Sequence, residues 1–249
     1  MIKNTLFLLL IAINYSFAQT TSGTIIYKKE LLWFLSEQED FKKKNAKDLT
    51  YLNNVLRIDE NVKLLLKEVK LVLIFNTNKS IFKSDNILEL ETNKFFRAAI
   101  GPEGSKVYYT DTKAQENLYQ IDAFGDLFLV SYPQIEWQLH NETKKIGNFN
   151  CYKATTIKEV KGRNGLIKTP IEAWYTPELA IPFGPVGFNG LPGLIVELTM
   201  RKYKYTIQNI ALNPTNEIVI KKPTNGKEVT KQEFENIGLN AMSSFKKGF

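Results

Sequence analysis

The chain has 249 residues, of which 43% are hydrophobic, and its 33 Lys and Arg outnumber its 26 Asp and Glu, for a formal net charge of +7. This length and composition are those of an ordinary globular protein that can bury a real core. The single cysteine, Cys151, excludes an intramolecular disulfide, and the scattered lysines are typical of a solvated surface.

Residues 1–18 have the pattern of a signal peptide. Lys3 gives a positive start, Leu6 to Ile13 form a short apolar core, and Ser16-Phe17-Ala18 is a small-x-small cleavage site. The apolar run is shorter than the roughly 20 residues of a membrane span. We therefore expect cleavage after this motif, a protein exported to the periplasm, the envelope or the exterior, and no transmembrane segment after cleavage. Export in turn argues against nucleic acid as a partner.

Hydrophobic periodicity predicts a mixed first half. Leu31 to Phe41 fits either a helix or a strand. In chain order the other patterns predict a strand at Thr24–Lys28, a helix at Asp48–Glu68 with Asp48 as its N-cap, a hairpin of Lys70–Phe75 with Ser80–Phe82, and a turn at Ile100–Ser105.

The second half is predicted to be strand after strand. The expected strands are Val107–Thr110, Asn117–Ile121, Asp126–Tyr132, Glu136–Asn141, Phe149–Ile157, Ile171–Thr176, Ile195–Met200, Lys204–Leu212 and Glu217–Lys221. Because no crossover helix intervenes, the sheet should be largely antiparallel. Val229 to Lys246 predicts a terminal helix with a capping box of Thr230 and Glu233. We expect a mainly β fold over residues 19–249, a single domain built on a large curved antiparallel sheet or half-barrel with one or two packed helices.

A run rich in glycine and proline contains Gly190-Leu191-Pro192-Gly193-Leu194-Ile195. Its central Leu191-Pro192-Gly193-Leu194 predicts a structural turn of type II, because proline presets φ at the second position and glycine accepts a positive φ at the third. The hexapeptide resembles the signature of the GLPGLI family, secreted proteins of Gram-negative envelopes. The resemblance extends over about residues 136–200 and implies no catalytic residue.

Four aromatic residues near this run are candidate ligand- or partner-binding residues. Trp174 and Tyr175 are adjacent on a predicted strand and should point to opposite faces of the sheet, and Phe183 and Phe188 lie on the stiff loop that follows. One reading is a partly open apolar cavity, bounded by Trp174 or Tyr175 and the two phenylalanines, for a lipid-like or aromatic molecule. The other is a core that these side chains fill.

Motifs for catalysis and metal binding are weak. His140 is the only histidine and there is no cysteine pair, so we predict no metal site and no cofactor. Cys151 lies in an alternating strand and is predicted to be a small buried hydrophobe, with a Cys151–His140 dyad as a formal alternative. Glu172 and Glu197 are the paired carboxylates that a glycosidase would need if neighbouring strands brought them together.

The sequence therefore predicts a non-enzymatic periplasmic binding or accessory protein of the cell envelope, which holds an apolar small molecule or an outer-membrane protein. An exported hydrolase with a carboxylate site and a purely structural envelope protein are the alternatives.

Overall fold

A computed structural model describes residues 22–85, 92–162 and 165–247, and the predicted signal peptide lies outside these residues. The strands are β1 Gly23–Leu31, β2 Leu71–Phe75, β3 Lys79–Ser84, β4 Val107–Asp111, β5 Glu116–Ala123, β6 Asp126–Ser131, β7 Gln138–Ile146, β8 Phe149–Gly162, β9 Gly165–Thr176, β10 Leu194–Met200, β11 Tyr203–Leu212 and β12 Lys227–Thr230. The helices are α1 Glu39–Lys44, α2 Leu49–Glu68, α3 Phe96–Gly104 and α4 Lys231–Lys247, with short 3₁₀ turns at Leu35–Glu37 and Pro185–Gly187.

All twelve strands belong to one sheet, in the order β12-β6-β5-β4-β3-β2-β1-β11-β10-β9-β8-β7. Neighbouring strands are antiparallel except that β12 runs parallel to β6. The prediction of a mainly β fold with a large, curved, largely antiparallel sheet is confirmed.

The curvature brings the two ends of the sheet close together. Strands β6 and β8 each lie one position in from an edge, yet helix α4 contacts both. The Phe234 ring packs 5.4 Å from the Phe128 ring on β6, and the Lys161 amide on β8 donates to the Glu235 carboxylate over 3.1 Å. Helix α4 therefore bridges the gap that the open sheet leaves.

One face of the sheet carries the main core. Alternate residues of β1 and β2 point into it, as a two-residue period requires, and the loop between β9 and β10 packs onto the same face. Five buried loop residues join this core: Ile181, Phe183, Val186, Phe188 and Leu191. The loop is thus an internal part of the fold, because its apolar side chains fill the curved face.

Local signals predicted the two long helices correctly. The Asp48 side chain accepts a hydrogen bond from the Tyr51 amide over 2.9 Å and caps α2. At the start of α4, the Thr230 amide donates to Glu233 over 2.7 Å, and the Glu233 amide donates back to the Thr230 hydroxyl over 3.2 Å. Each cap satisfies amide groups that have no partner within the helix.

Two predicted elements are wrong. Glu217–Lys221 forms no strand; instead its Ile220 is buried on the opposite, outer face of the sheet among Tyr109, Leu118 and Leu129. The alternating hydrophobic pattern of this segment arises because one side of an irregular stretch of chain packs on the sheet, without backbone pairing to a strand. The turn predicted at Ile100–Ser105 is mostly the end of α3, which bends at Gly101, where φ is 63°.

Candidate functional site

A cleft of about 1320 Å³ opens where the two ends of the sheet approach each other. Tyr119 and Tyr132 line it from the β5–β6 side, and residues 155–160 of β8 line it from the other side. Phe234 of α4 and Trp137, just before β7, also line it. The cleft therefore exists because the sheet curls without closing.

The aromatic wall of the cleft consists of two groups of packed rings. The Tyr119 ring lies 6.0 Å from that of Tyr132 and 6.1 Å from that of Phe234, and the Trp137 ring lies 5.8 Å from that of Phe188. Such ring pairs prefer these tilted arrangements. The wall offers apolar ring faces to an occupant.

The polar tips of the wall residues are bound to the loop between β9 and β10. The Trp137 indole N–H donates to the Asn189 carbonyl over 2.8 Å, and the Tyr132 hydroxyl donates to the Gly187 carbonyl over 3.1 Å. Buried Asn189 is itself fixed, because its side-chain amide donates to Asn117 Oδ1 over 3.0 Å. These bonds preorganise the wall before any ligand arrives.

The floor of the cleft carries a buried charge cluster. Glu103 Oε1 accepts from Lys158 Nζ over 2.8 Å, and Glu103 Oε2 accepts from Lys106 Nζ over 3.0 Å and from the Tyr108 hydroxyl. Burial opposes ionisation of Glu103, but the charges of Lys106 and Lys158 outweigh it and hold the pKa of the carboxyl well below its usual range. Burial in turn lowers the pKa of Lys106. Glu103 is therefore a carboxylate at any physiological pH.

Sequence patterns did not predict this floor. Glu103 and Lys106 are three residues apart and form an ion pair, which their spacing in the sequence could have predicted. Lys158 is 55 residues from Glu103, so no sequence pattern could have placed it there.

Only one of the four predicted aromatic site residues reaches the cleft. Phe188 lines it, whereas Phe183 is buried in the core 6.3 Å from the Phe75 ring. Tyr175 is buried in that same core, and Trp174 is buried on the outer face. The opposite orientations of Trp174 and Tyr175 are confirmed. The predicted cavity bounded by Trp174 or Tyr175 and the two phenylalanines is wrong, because the loop packs Phe183 inward and Tyr175 and Phe183 fill the core, as the alternative reading expected.

The predicted turn is present, but its type is wrong. The Gly193 amide donates to the Leu191 carbonyl over 2.8 Å, a tight three-residue turn, and the Leu194 amide donates to Leu179 instead of closing a type II turn. A Cβ at Gly193 would lie 2.2 Å from the Thr176 carbonyl oxygen. Glycine is needed here because the backbone passes so close to the end of β9.

The other residues considered for chemistry are engaged elsewhere. His140 Nε2 pairs with the Thr155 hydroxyl over 2.7 Å, while Cys151 is fully buried, and burial raises the pKa of its thiol to about 11. Glu172 accepts from the Trp174 indole over 2.9 Å, and Glu197 pairs with Lys144 over 2.7 Å. These contacts favour structural roles for all four.

The described residues lack a metal cluster and a membrane-spanning helix. No group of three or more His, Cys, Asp or Glu side chains there could hold a metal ion. No helix within that part of the chain is long and apolar enough to cross a membrane.

Comparison with known proteins gives a family match and a fold likeness. A family model described as a protein of unknown function (Porph_ging) matches residues 137–169 and 165–197, less than half of the chain. Two structures of PNGF-II are similar in fold. The one in space group C2 has 14% identity over 88% of this chain and 32% of that chain, with a TM-score of 0.48. The one in space group P21 has 15% identity over 88% and 33%, with a TM-score of 0.50.

The chain thus spans about a third of the length of the PNGF-II chains, and at this identity the likeness concerns the fold alone. No curated protein matches the chain. Membership of the GLPGLI family stays a prediction.

Proposed function

We propose that this chain is a non-enzymatic binding protein that holds a ligand with an apolar body, lipid-like or aromatic, in the cleft. The observation that carries the proposal is the aromatic wall that lines a cleft of about 1320 Å³. Small-molecule sites are concave and mostly apolar with a few placed polar groups, and they commonly measure about 300–1,000 Å³. The cleft is larger than this range, at about 1320 Å³, but it is concave and mostly apolar and has room for a lipid-like molecule.

Preorganisation of the wall supports binding further. Trp137 and Tyr132 are tied to the loop through their polar tips, so their rings lose little freedom when a ligand stacks on them. A site that is already ordered spends less of its contact energy on ordering side chains.

The charge cluster favours binding over hydrolysis. A glycosidase needs a carboxylic acid whose pKa is raised so that it can give up a proton near neutral pH. Lys106 and Lys158 lower the pKa of Glu103 instead, so this carboxylate is unsuited to act as a general acid.

Export and an envelope location are part of the proposal. Residues 1–18 carry the signal-peptide pattern described above, and an outer-membrane protein is a further candidate partner. N-terminal sequencing of the protein from its native cell tests this: we expect Gln19 as the first residue, and an intact Met1 in a purely cytoplasmic pool would contradict export.

Binding is tested with N-phenylnaphthylamine, a neutral dye that fluoresces in apolar sites. We expect a saturable rise in emission with one site per chain. Thr156 lines the cleft and lies opposite core residue Ile171 on the next strand. Thr156→Phe should therefore protrude into the cleft, occupy part of the ligand's place and weaken binding by about tenfold, equivalent to about 1.4 kcal/mol.

The matched control is Thr143→Phe, on an exposed position of edge strand β7, which should bind the dye as the wild type does. Absence of binding to the wild type, or equal binding by both variants with their folds intact by circular dichroism, would contradict the proposal.

A further inference from the structure

We infer that the cleft selects ligands that carry an anionic group, a carboxylate, sulfonate or phosphate attached to the apolar body. This inference rests on the proposed function and specifies the ligand class of the same site. It comes from the imbalance of charge on the cleft floor. Lys106 and Lys158 both donate to Glu103, so two ammonium groups share one carboxylate.

The floor has hydrogen-bonding capacity beyond Glu103. An ammonium group has three N–H donors, and the bonds to Glu103 use one from each lysine. The Lys106 side chain is 11% exposed and that of Lys158 is 25% exposed, so both are largely removed from water but still reachable from the cleft. A ligand anion there would bind to partly desolvated cations, where charge-assisted hydrogen bonds are strong.

Nearby charges add to this preference. Lys231 of α4 also lines the cleft. Its ammonium donates to the Glu159 carbonyl over 2.5 Å and lies 3.8 Å from Glu235, but its charge still adds, after burial and Lys158, to the lowering of the Lys106 pKa. An anion in the floor would relieve the repulsion between Lys106 and Lys158, to which Lys231 adds.

The carboxylates at the rim of the cleft are held by other groups. Glu235 accepts from the Lys161 amide over 3.1 Å and lies 3.8 Å from Lys231. Glu172 accepts from the Trp174 indole, and Glu159 pairs with Lys168 over 3.1 Å. Glu136 is exposed. The excess positive charge of the floor is therefore not cancelled by the rim.

The positive floor directly adjoins the apolar wall. Lys106 Nζ lies 4.5 Å from the centre of the Tyr119 ring, and the Tyr119 ring continues to Tyr132 and Phe234. A molecule with its anionic group on the lysines would lay its apolar part along these rings. The geometry thus matches an amphiphilic acid.

Two dyes separate this inference from the proposed function. N-phenylnaphthylamine is neutral, and anilinonaphthalene sulfonate has the same aromatic body with an added sulfonate. We expect Lys158→Met to weaken sulfonate dye binding about tenfold, the loss expected for a charge-assisted hydrogen bond, and to leave neutral dye binding within about twofold. Lys158→Arg, which keeps the charge, should retain much of the affinity for the sulfonate dye that Lys158→Met loses. Raising the salt concentration should weaken binding of the sulfonate dye only.

The matched control is Lys227→Met, because Lys227 is an exposed lysine paired with Asp126 away from the cleft; it should change neither affinity. If Lys158→Met affects both dyes equally, or leaves the sulfonate dye unaffected, while the wild type binds the neutral dye, the inference is overturned and the proposed function stands. If the wild type binds neither dye, both are overturned. Circular dichroism and the melting temperature of each variant exclude unfolding as the cause.

Discussion

Lys158 donates to Glu103 over 2.8 Å and thereby joins strand β8 to helix α3 across the floor of the cleft. Without the Glu103 charge, Lys106 and Lys158 would face each other partly buried and uncompensated. Breaking such a pair by removing one partner is costly, since the remaining charge stays buried. The same carboxylate therefore stabilises the fold and sets the charge of the candidate site.

Glu103→Gln should lower the free energy of unfolding at pH 7 by about 3 kcal/mol, measured by urea denaturation. Asp126→Asn is the control, because its ion pair with Lys227 is exposed, and solvent screening should leave stability nearly unchanged. Equal stability of Glu103→Gln and wild type would contradict the charge cluster described here.

The effect of Glu103 should depend on pH in a defined direction. The pKa of Glu103 is lower in the folded than in the unfolded chain, so its contribution is complete above the unfolded pKa of about 4.3 and is lost as the pH falls toward the folded pKa. The difference between wild type and Glu103→Gln should thus narrow below about pH 4. A difference that grows on acidification would contradict the lowered pKa.

Lys29 predicts a pH dependence of the same sign in a higher pH window. It is 2% exposed, and its ammonium donates to the Ala99 carbonyl over 3.0 Å and to the Ile100 carbonyl over 2.5 Å. Burial lowers its pKa from 10.5 to about 7 despite the nearby Glu103 charge. Between these two values the unfolded chain holds the proton and the folded chain does not, so stability rises with pH across this window.

Lys29→Met removes this titration. The unfolding free energy of the wild type relative to Lys29→Met should therefore increase between pH 7 and pH 10.5, by an amount on the order of 5 kcal/mol over the whole window. Taking the difference between the two proteins cancels the other groups that titrate there. A difference that is flat in pH would show that Lys29 keeps its usual pKa.

Gly193 and Gly190 represent two different reasons why a position requires glycine: a close approach of neighbouring backbone, and a positive φ. A Cβ at Gly193 would meet the backbone of Thr176 and Pro177 at 2.2–3.0 Å, whereas a Cβ at Gly190, where φ is 88°, would meet nothing within 4 Å. We expect Gly193→Ala to cost about 3 kcal/mol, because backbone atoms must move, and Gly190→Ala about 1 kcal/mol for its positive φ. Equal losses in thermal or urea unfolding would contradict the close approach.

Sequence patterns correctly predicted the features that depend on residues close together in the chain. The caps of α2 and α4 depend on side chains within three positions, at Asp48 and at Thr230 with Glu233, and both are present. Strand β12 was missed because it is only four residues long and pairs in parallel with the distant β6. Nothing in Lys227–Thr230 itself indicates that pairing.

The candidate site was less predictable because tertiary contacts decide it. Phe183 and Phe188 belong to one stiff loop, yet one fills the core and the other lines the cleft. The turn chemistry of Pro192 and Gly193 suggested a type II turn, but the close passage of Thr176 imposes a tighter one. Both outcomes depend on how the sheet curls, which local patterns do not specify.

The most direct test of ligand binding in the cleft uses Trp137 as a local reporter. The chain has three tryptophans: Trp137 lines the cleft, Trp174 is buried on the outer face, and Trp33 is 43% exposed. One protein keeps only Trp137 and another keeps only Trp33, with phenylalanine at the other two positions. Each is titrated with a neutral alkyl alcohol that carries a terminal bromine, which quenches tryptophan emission only near contact. We predict saturable quenching of Trp137 and unchanged emission of Trp33, whereas equal quenching of both, or no quenching of Trp137, would contradict binding in the cleft.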